Sequence, residues 1–464
     1  MNKTVEFIEV KLNDDVFFNA SSSHYLLQSM TNTDTNDVEA TVNQIIELID
    51  AGAELVRVAV PGLKEIEALR KIRKGVARNT LTTQKHVPLV ADVHFLPEVA
   101  EKAATFIEKI RINPGNFTDN RKGVTRSLSK VEMRNAPTDT YQQGFESMAL
   151  RAKPLIEICK KHNTIIRVGV NQGSLCSRII SKYGNTAEAL IASALEWIKI
   201  AEMYDFHKIV FSIKSSHVKT MMEANLLLYN KMIEQGRVYP FHLGVTEAAN
   251  EIEGRVKSAI GIGALLLYGL GNTFRVSLTE NPIHEIAFSK LLIEAIQDIR
   301  KNNYAQFSDN VLHIYYPEKN IEKWWAGVSV LIGKYWLNKI LVDIKIENPH
   351  FTIDEINKLQ NCALQICGIK KTHTEIIACP SCGRTQYDIQ AVLKVVKQQF
   401  AHYPHLKIAV MGCVVNGPGE MADADFGIIG SANEKVAVYK GKERISDFVS
   451  VQEALQILQN MINH

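Results

Sequence analysis

The sequence has no long apolar run. Its most hydrophobic stretch, Ala259–Leu270, is interrupted by glycine and too short to cross a bilayer, so no membrane span is expected. Met1–Val10 is charged throughout and holds no apolar segment of the kind a secretory leader needs. A bulk excess of one charge is also missing. Lys and Arg number 53 against 50 Asp and Glu, a net charge of +3, which gives no general case for nucleic acid but leaves room for a local basic site. No solenoid-type repeat recurs, and no Gly-x-Gly-x-x-Gly follows a strand-like run, so the dinucleotide fingerprint is absent. Cysteine is scarce: seven residues, an odd number in no framework spacing, fit a reducing compartment, and a cytoplasmic location is expected. What remains is a chain of 464 residues, 46% hydrophobic and 22% charged, long enough for two or three domains of an ordinary globular protein.

Three of the seven cysteines stand in two motifs near the end of the chain, Cys379-Pro-Ser-Cys382-Gly-Arg and Met411-Gly-Cys413-Val-Val-Asn-Gly-Pro-Gly-Glu420. A Cys-x-x-Cys pair puts two thiolates within reach of one metal centre. Structural zinc normally takes four Cys or His ligands, and the fourth Cys is missing, since Cys362 and Cys367 precede the pair in a separate helix-like segment. His402 and His405 are available, but they precede a strand-like run, Leu406–Met411, rather than a turn. Three thiolates also suit a [4Fe–4S] cluster whose fourth iron has a weaker, replaceable ligand, a role Glu420 fits. The glycines of Asn416-Gly-Pro-Gly allow close backbone approach to such a cluster. Spacing alone leaves zinc and iron–sulfur level. Cys159, Cys176, Cys362 and Cys367 read as packing residues.

Residues 1–300 alternate short apolar runs with helix-like stretches. The runs are Tyr25–Met30, Leu55–Val60, Val87–Val93, Lys109–Ile112, Ile165–Val170, Ile209–Ile213, Phe241–Val245 and Phe274–Leu278. Eight strand–helix units over this length predict an N-terminal (β/α)₈ TIM barrel, with a doubly wound open sheet as the alternative, because periodicity does not show closure. Asn116–Asn163 reads as an elaborated loop followed by a helix. Residues 301–371 hold three of the four tryptophans, Trp324, Trp325 and Trp336, and read as an inserted linker segment. Within it Ile321–Leu341 is either an amphipathic helix laid on another surface or part of a small separate core. Residues 372–464 predict a C-terminal α/β domain with helices at Asp388–Phe400 and Val451–Ile462, and strands at Lys407–Met411, Asp425–Ile429 and Lys435–Tyr439.

Buried parallel strands should be almost wholly apolar. These are not. Arg57 interrupts the second, Asp92 and His94 end the third, and Arg111 and Asn113 sit in the fourth. Arg167 and Asn171 belong to the fifth, Lys214 ends the sixth, Thr246 and Glu247 end the seventh, and Arg275 and Ser277 sit in the eighth. Several of these pairs are two apart and so face the same way. Five cations pointing into one lumen repel each other and are costly to desolvate. Asp92 and Glu247 offset two of them, and a diphosphate would largely neutralise the remaining three. Arginine matches phosphate oxygens with its fork, and barrel sites lie at the C-terminal strand ends.

These motifs together resemble the 4-hydroxy-3-methylbut-2-enyl diphosphate synthase family, iron–sulfur reductases of the methylerythritol phosphate route to isoprenoids. The matching stretches run in order through the chain: Gln28-Ser-Met-Thr-Asn-Thr-Asp-Thr35, Arg57-Val-Ala-Val-Pro61, Leu89-Val-Ala-Asp-Val-His-Phe95, Lys109-Ile-Arg-Ile-Asn-Pro-Gly-Asn116, Arg167-Val-Gly-Val-Asn171, His242-Leu-Gly-Val-Thr-Glu-Ala248, Lys257-Ser-Ala-Ile-Gly-Ile-Gly-Ala264, Arg275-Val-Ser-Leu-Thr279 and both cysteine motifs. The resemblance implies a reductive ring opening and dehydration of 2-C-methyl-D-erythritol 2,4-cyclodiphosphate. It implies a [4Fe–4S] cluster on Cys379, Cys382, Cys413 and Glu420, and a diphosphate held by Arg57, Arg111, Arg167, Lys214, Arg275 and Ser277, with Asn113 and Thr246 beside it. Asp92, His94, Asn171 and Glu247 become substrate-positioning or proton-handling candidates, and Glu420 a ligand that steps aside for substrate. Ferredoxin or flavodoxin is the implied electron donor and a homodimer the implied assembly. The segment 301–371 departs from the compact two-domain form and is shorter than the extra domain of longer members, which leaves open whose barrel the C-terminal domain closes. Two other readings share some features: a pterin-type transferase barrel bearing a zinc module, and a zinc-stapled scaffold presenting Trp324, Trp325 and Trp336 to a partner.

Overall fold

The structure, a computed structural model, describes residues 4–463 except 14–15, 22–23, 81–85, 119–140, 247–250, 380–381, 415–416, 422–423 and 432–433. The polar stretch Asp119–Arg134 and Glu247 therefore lie outside the described residues, as does the side chain of Glu420.

Eight parallel strands form the first sheet: β1 (Leu26–Met30), β2 (Leu55–Ala59), β3 (Leu89–Asp92), β4 (Lys109–Ile112), β5 (Ile165–Asn171), β6 (Ile209–Lys214), β7 (His242–Leu243) and β8 (Thr273–Phe274). β8 pairs with β1 and β7 with β8, and a parallel bridge from Phe211 to Phe241 joins β6 to the start of the β7 segment, so the sheet closes into a barrel. The strands alternate with helices that carry their own start and stop signals. Val38–Ala51 begins at Asp37, whose side chain accepts from the Ala40 N–H, and ends at Gly52 in the left-handed region at φ 107°. Its Val42, Ile45, Leu48 and Ile49 fall on one face and are buried. A hairpin, Glu9–Lys11 with Phe17–Asn19, closes the N-terminal end, where Phe18 lies beneath Lys109, whose ammonium sits 4.4 Å from the ring centroid.

The apolar run Ala259–Leu270 begins with a local widening: Ala259–Gly263 forms a π turn between helical Glu251–Ser258 and Ala264–Leu267. The helix Ile321–Asn338 packs against it, and Gly333 permits the contact, since a Cβ there would meet the Ile260 carbonyl oxygen at 2.2 Å. Residues 301–371, read above as an inserted linker, are thus folded. Strands β9 (Ala305–Ser308), β10 (Val311–Tyr315) and β11 (Asp343–Glu347) and helices Ile321–Asn338 and Ile353–Ile366 share one continuous core with the barrel. Trp324 is fully buried and stacked on Phe351, and Trp336 is also buried, which removes the reading of these aromatics as an exposed partner surface.

The C-terminal sheet runs β12 (Glu375–Ala378), β13 (Lys407–Met411), β14 (Phe426–Gly430), β15 (Val436–Lys440) and β16 (Glu443–Arg444), the first three parallel and the last two antiparallel. Its core, separate from that of the barrel, includes Val392, Val396 and Phe400 of one helix and Ala454 and Leu458 of another. β12 was missing from the sequence reading. It matters, because Cys379 and Cys413 directly follow the C-terminal ends of neighbouring parallel strands, β12 and β13.

Candidate active site

The barrel's C-terminal face and the cysteine loops enclose one chamber within a single chain. Arg57, Asp92, His94, Arg111, Arg167, Asn171, Lys214, Thr246, Arg275 and Ser277 line it from the barrel, and Cys379, Cys382 and Cys413 from the C-terminal domain. Strand register explains the barrel side. Asp92, Arg111 and Arg167 are partners across β3, β4 and β5, and Asn171 is paired with Lys214 across β5 and β6, so each row stands at one height. Among the described residues, Asn113 is the predicted one that the chamber does not include. Its amide donates to Ser174 Oγ at 2.7 Å and its oxygen caps the Gly115 N–H, which holds the loop after β5 in place.

The cations press on one another. Burial, and then neighbouring positive charge, holds Arg167 and Lys214 well below their ordinary pKa values. Arg57 is lowered to about 10 by burial, with Asp92 working the other way. Arg167 is 1% exposed, and its Nε and Nη1 make no hydrogen bond among the described residues. The same is true of Thr246 Oγ1. Buried donors without partners are costly, so the chamber is built to receive acceptor oxygens. Arg275 differs: two of its nitrogens donate to Glu285, Nε to Oε2 at 2.9 Å and Nη2 to Oε1 at 2.8 Å.

Asp92 is the charge hub. It is 2% exposed, and burial alone would raise its pKa, but Arg57, Arg384, His94 and Arg111 hold it well below the carboxylate range. Arg111 Nη1 approaches its Oδ1 at 3.3 Å and also contacts the His94 ring. Burial, followed by the Arg111 charge, lowers the His94 pKa to about 3, so this imidazole is neutral.

Four residues that the sequence reading passed over bear on the site, Arg384 in its lining and Glu285, Lys109 and His242 behind it. Glu285 neutralises Arg275, and its signal was legible: an acid on the buried face of helix Pro282–Lys301, in line with Phe288, Ser289 and Leu292. Lys109 lies two residues before Arg111, on the same side of β4, and is fully buried, near Arg167 and Arg57. His242 is buried beside Arg167, Lys214 and Lys109. Arg384 comes from the cysteine loop itself and crosses to Asp92, with Nη1 at 2.8 Å from Oδ2 and Nη2 at 2.6 Å from the backbone oxygen. The sequence-based charge balance therefore changes. Glu285 adds an anion, Arg384 and Lys109 add cations, and Arg275 is no longer free.

The three cysteines form no disulfide and are half-buried. Cys382 and Cys413 both act electrostatically on Arg384, and Cys379 and Cys413 both raise the pKa of Tyr387, after burial. The Gly412 N–H donates to Cys379 Sγ at 3.1 Å. Among the described residues, no set of three His, Cys, Asp or Glu side chains is arranged to hold a metal ion as it stands. His405 precedes β13 while Cys413 follows it, and a five-residue strand between them separates the two by roughly 20 Å. Cys362 belongs to the core of the barrel and inserted segment. Neither can complete a four-ligand zinc site with these thiols.

A family model described as the GcpE TIM-barrel domain matches residues 17–290, and one described as the GcpE protein C-terminal domain matches residues 375–464. The chain is 32% identical over 588 residues to a 4-hydroxy-3-methylbut-2-en-1-yl diphosphate synthase (flavodoxin) of Phocaeicola vulgatus, with 94% of each chain covered. It is 31% identical over 590 residues to the protein so named from Bacteroides thetaiotaomicron, again with 94% of each covered. For that of Protochlamydia amoebophila the identity is 29% over 617 residues, covering 94% of this chain and 92% of the relative. All three alignments are longer than the 464 residues here, so the relatives carry insertions that this chain lacks. Neither family model reaches residues 291–374, the stretch that includes the folded segment beside the barrel.

Proposed function

We propose, on the premise that the chain belongs to the GcpE family, that it is a 4-hydroxy-3-methylbut-2-enyl diphosphate synthase in isoprenoid biosynthesis. The reaction takes 2-C-methyl-D-erythritol 2,4-cyclodiphosphate, two electrons and two protons to 4-hydroxy-3-methylbut-2-enyl diphosphate and water. The observation that carries this reading is one chamber walled by three cysteines outside any disulfide on one side and buried cations on the other. A small anion that accepts electrons needs both.

Cys379, Cys382 and Cys413 would hold a [4Fe–4S] cluster, with Glu420 as its fourth ligand. Three cysteines on one wall and a backbone N–H already bonded to a cysteine sulfur fit that group better than zinc, since His94, the imidazole in the chamber's lining, is engaged by Arg111 and Asp92. Bound there, the cluster supplies electrons one at a time. Arg57, Arg111, Arg167 and Lys214 bind and orient the diphosphate, while Thr246, Ser277 and Asn171 offer it polar contacts. Arg275, committed to Glu285, shapes the wall more than it binds. Asp92 is held ionised and His94 neutral, so at neutral pH Asp92 anchors cations rather than donating a proton. Glu247 is then the remaining barrel carboxylate for proton handling.

The electron donor is a flavodoxin, in keeping with the relatives' names, or a ferredoxin in its place. The C-terminal domain covers its own barrel, so the chamber is complete within one chain and the homodimer carried over from compact members is not required to form it. Anaerobic purification with iron, sulfide and zinc analysis and a visible spectrum tests the assignment. About four irons per chain and a brown protein are expected. Stoichiometric zinc with no visible absorbance would overturn it.

A further inference from the structure

Arg384 has no role in the sequence reading, yet it is 7% exposed and lies between the thiols and the barrel. Local structure fixes it there. The Thr385 N–H donates to the Cys382 oxygen at 2.9 Å, the Cys382 N–H to Thr385 Oγ1 at 3.1 Å, and Gln386 Nε2 to the Arg384 oxygen at 2.9 Å. The turn from Cys382 to Thr385 is thereby locked with Arg384 within it. Gly383 brings this turn against the first barrel loop, since a Cβ there would stand 2.6 Å from the Thr33 oxygen.

The guanidinium is divided in its use. Nη1 and Nη2 are committed to the Asp92 carboxylate and carbonyl at 2.8 and 2.6 Å. Nε is buried and makes no hydrogen bond among the described residues. Cys382 and Cys413 are close enough to act on the group electrostatically. Asp92 in turn accepts from Arg111 Nη1 at 3.3 Å, and Arg111 Nη2 donates to the Gly169 oxygen at 3.1 Å. One chain of contacts thus runs from the thiol loop through Arg384 and Asp92 to a cation of the barrel ring.

We infer that Arg384 is a positioning residue for the proposed reaction. Through Asp92 it docks the thiol-bearing loop on the barrel and sets Arg111, and its Nε–H and its charge face the anion between thiols and ring. The inference rests on the reading above. Completion of the cationic ring then depends on domain closure, because one of its members arrives with the C-terminal domain. Lysine would keep the charge, but its three donors radiate from one nitrogen and do not reproduce the fork that reaches a carboxylate and a carbonyl on one side and holds Nε–H away from them.

The test compares Arg384→Gln and Arg384→Lys with wild type, after iron and sulfide content has been measured for each. Both variants should retain wild-type iron. Arg384→Gln should lower kcat about 100-fold, the loss expected when reacting groups are misplaced by about 1 Å, with a smaller change in KM. Its cluster should have a more negative midpoint potential, since a cation beside the thiolates favours the reduced form. Arg384→Lys should recover the potential but not kcat. An unchanged potential in Arg384→Gln, or full activity in Arg384→Lys, would overturn the inference. Iron-free wild-type protein would instead count against the proposed function. In that case hydrogen exchange still decides the docking role, because segments 89–94 and 382–386 should lose protection in Arg384→Gln, and unchanged protection would overturn it.

Discussion

Gly419→Ala is a small change with a large geometric demand. Gly419 sits in the short helix Gly417–Glu420 of the C-terminal domain, against the turn Gln172–Ser174 that follows β5 of the barrel. A Cβ at this position would lie 1.9 Å from the Gly173 carbonyl oxygen and 2.7 Å from its carbon. Both neighbours are backbone, so no side chain can swing away. Reaching even 3.0 Å requires the domains to separate locally by about 1.1 Å. A shift of that size would stretch the 2.8 Å Arg384–Asp92 contact past hydrogen-bond range. Overpacking of this kind costs about 1–3 kcal/mol, here charged against the closed arrangement rather than against either core. One to three kcal/mol corresponds to roughly 5–150-fold in the closed-to-open equilibrium constant. Turnover should fall by up to that factor, while iron content and the melting of the separate cores hold. Steady-state kinetics, iron analysis and small-angle scattering on one preparation make the check. Wild-type turnover together with an unchanged scattering curve would show that the domains do not need this contact.

The two buried arginines should part company. Arg275→Ala leaves Glu285, 1% exposed, without its partner and should destabilise the fold by about 3–5 kcal/mol in urea melts. Arg167→Ala removes a cation that makes no ion pair among the described residues, so it should cost less stability but weaken cyclodiphosphate binding about 10–100-fold by calorimetry. Equal effects in both assays would mean the ring is structural. His94 gives a pH signature. Its folded pKa of about 3 lies below the ordinary 6.5, so the unfolded chain takes up the proton first and stability falls as pH drops through that window, with no contribution above it. Urea melts of wild type and His94→Gln across that range should show a shallower slope in the variant.

Most of the frame was legible because the physics is local. Eight β-rich runs separated by helical ones specify a parallel sheet, and charged residues two apart on strands that should be apolar mark an inward polar face. Closure was not legible, since it depends on the Phe211–Phe241 bridge between distant segments. Nor was Arg384, whose partner Asp92 lies 292 residues earlier, although the turn that orients it is encoded next to it. The π turn at Ala259–Gly263 and the close approach of Gly333 to Ile260 were hidden for a related reason, because they follow from packing between a barrel helix and the segment after residue 300. Glu285 could have been found, because an acid on a buried helix face requires a cation nearby.

The central claim is that thiols and cation ring act on one substrate. Its most direct test is product formation by anaerobically purified protein, given 2-C-methyl-D-erythritol 2,4-cyclodiphosphate and a reduced one-electron donor, with Cys413→Ala beside it. Wild type should form 4-hydroxy-3-methylbut-2-enyl diphosphate with two electrons consumed per product, and Cys413→Ala should lose both iron and product. Product from iron-free protein, or full iron and turnover in Cys413→Ala, would contradict the account.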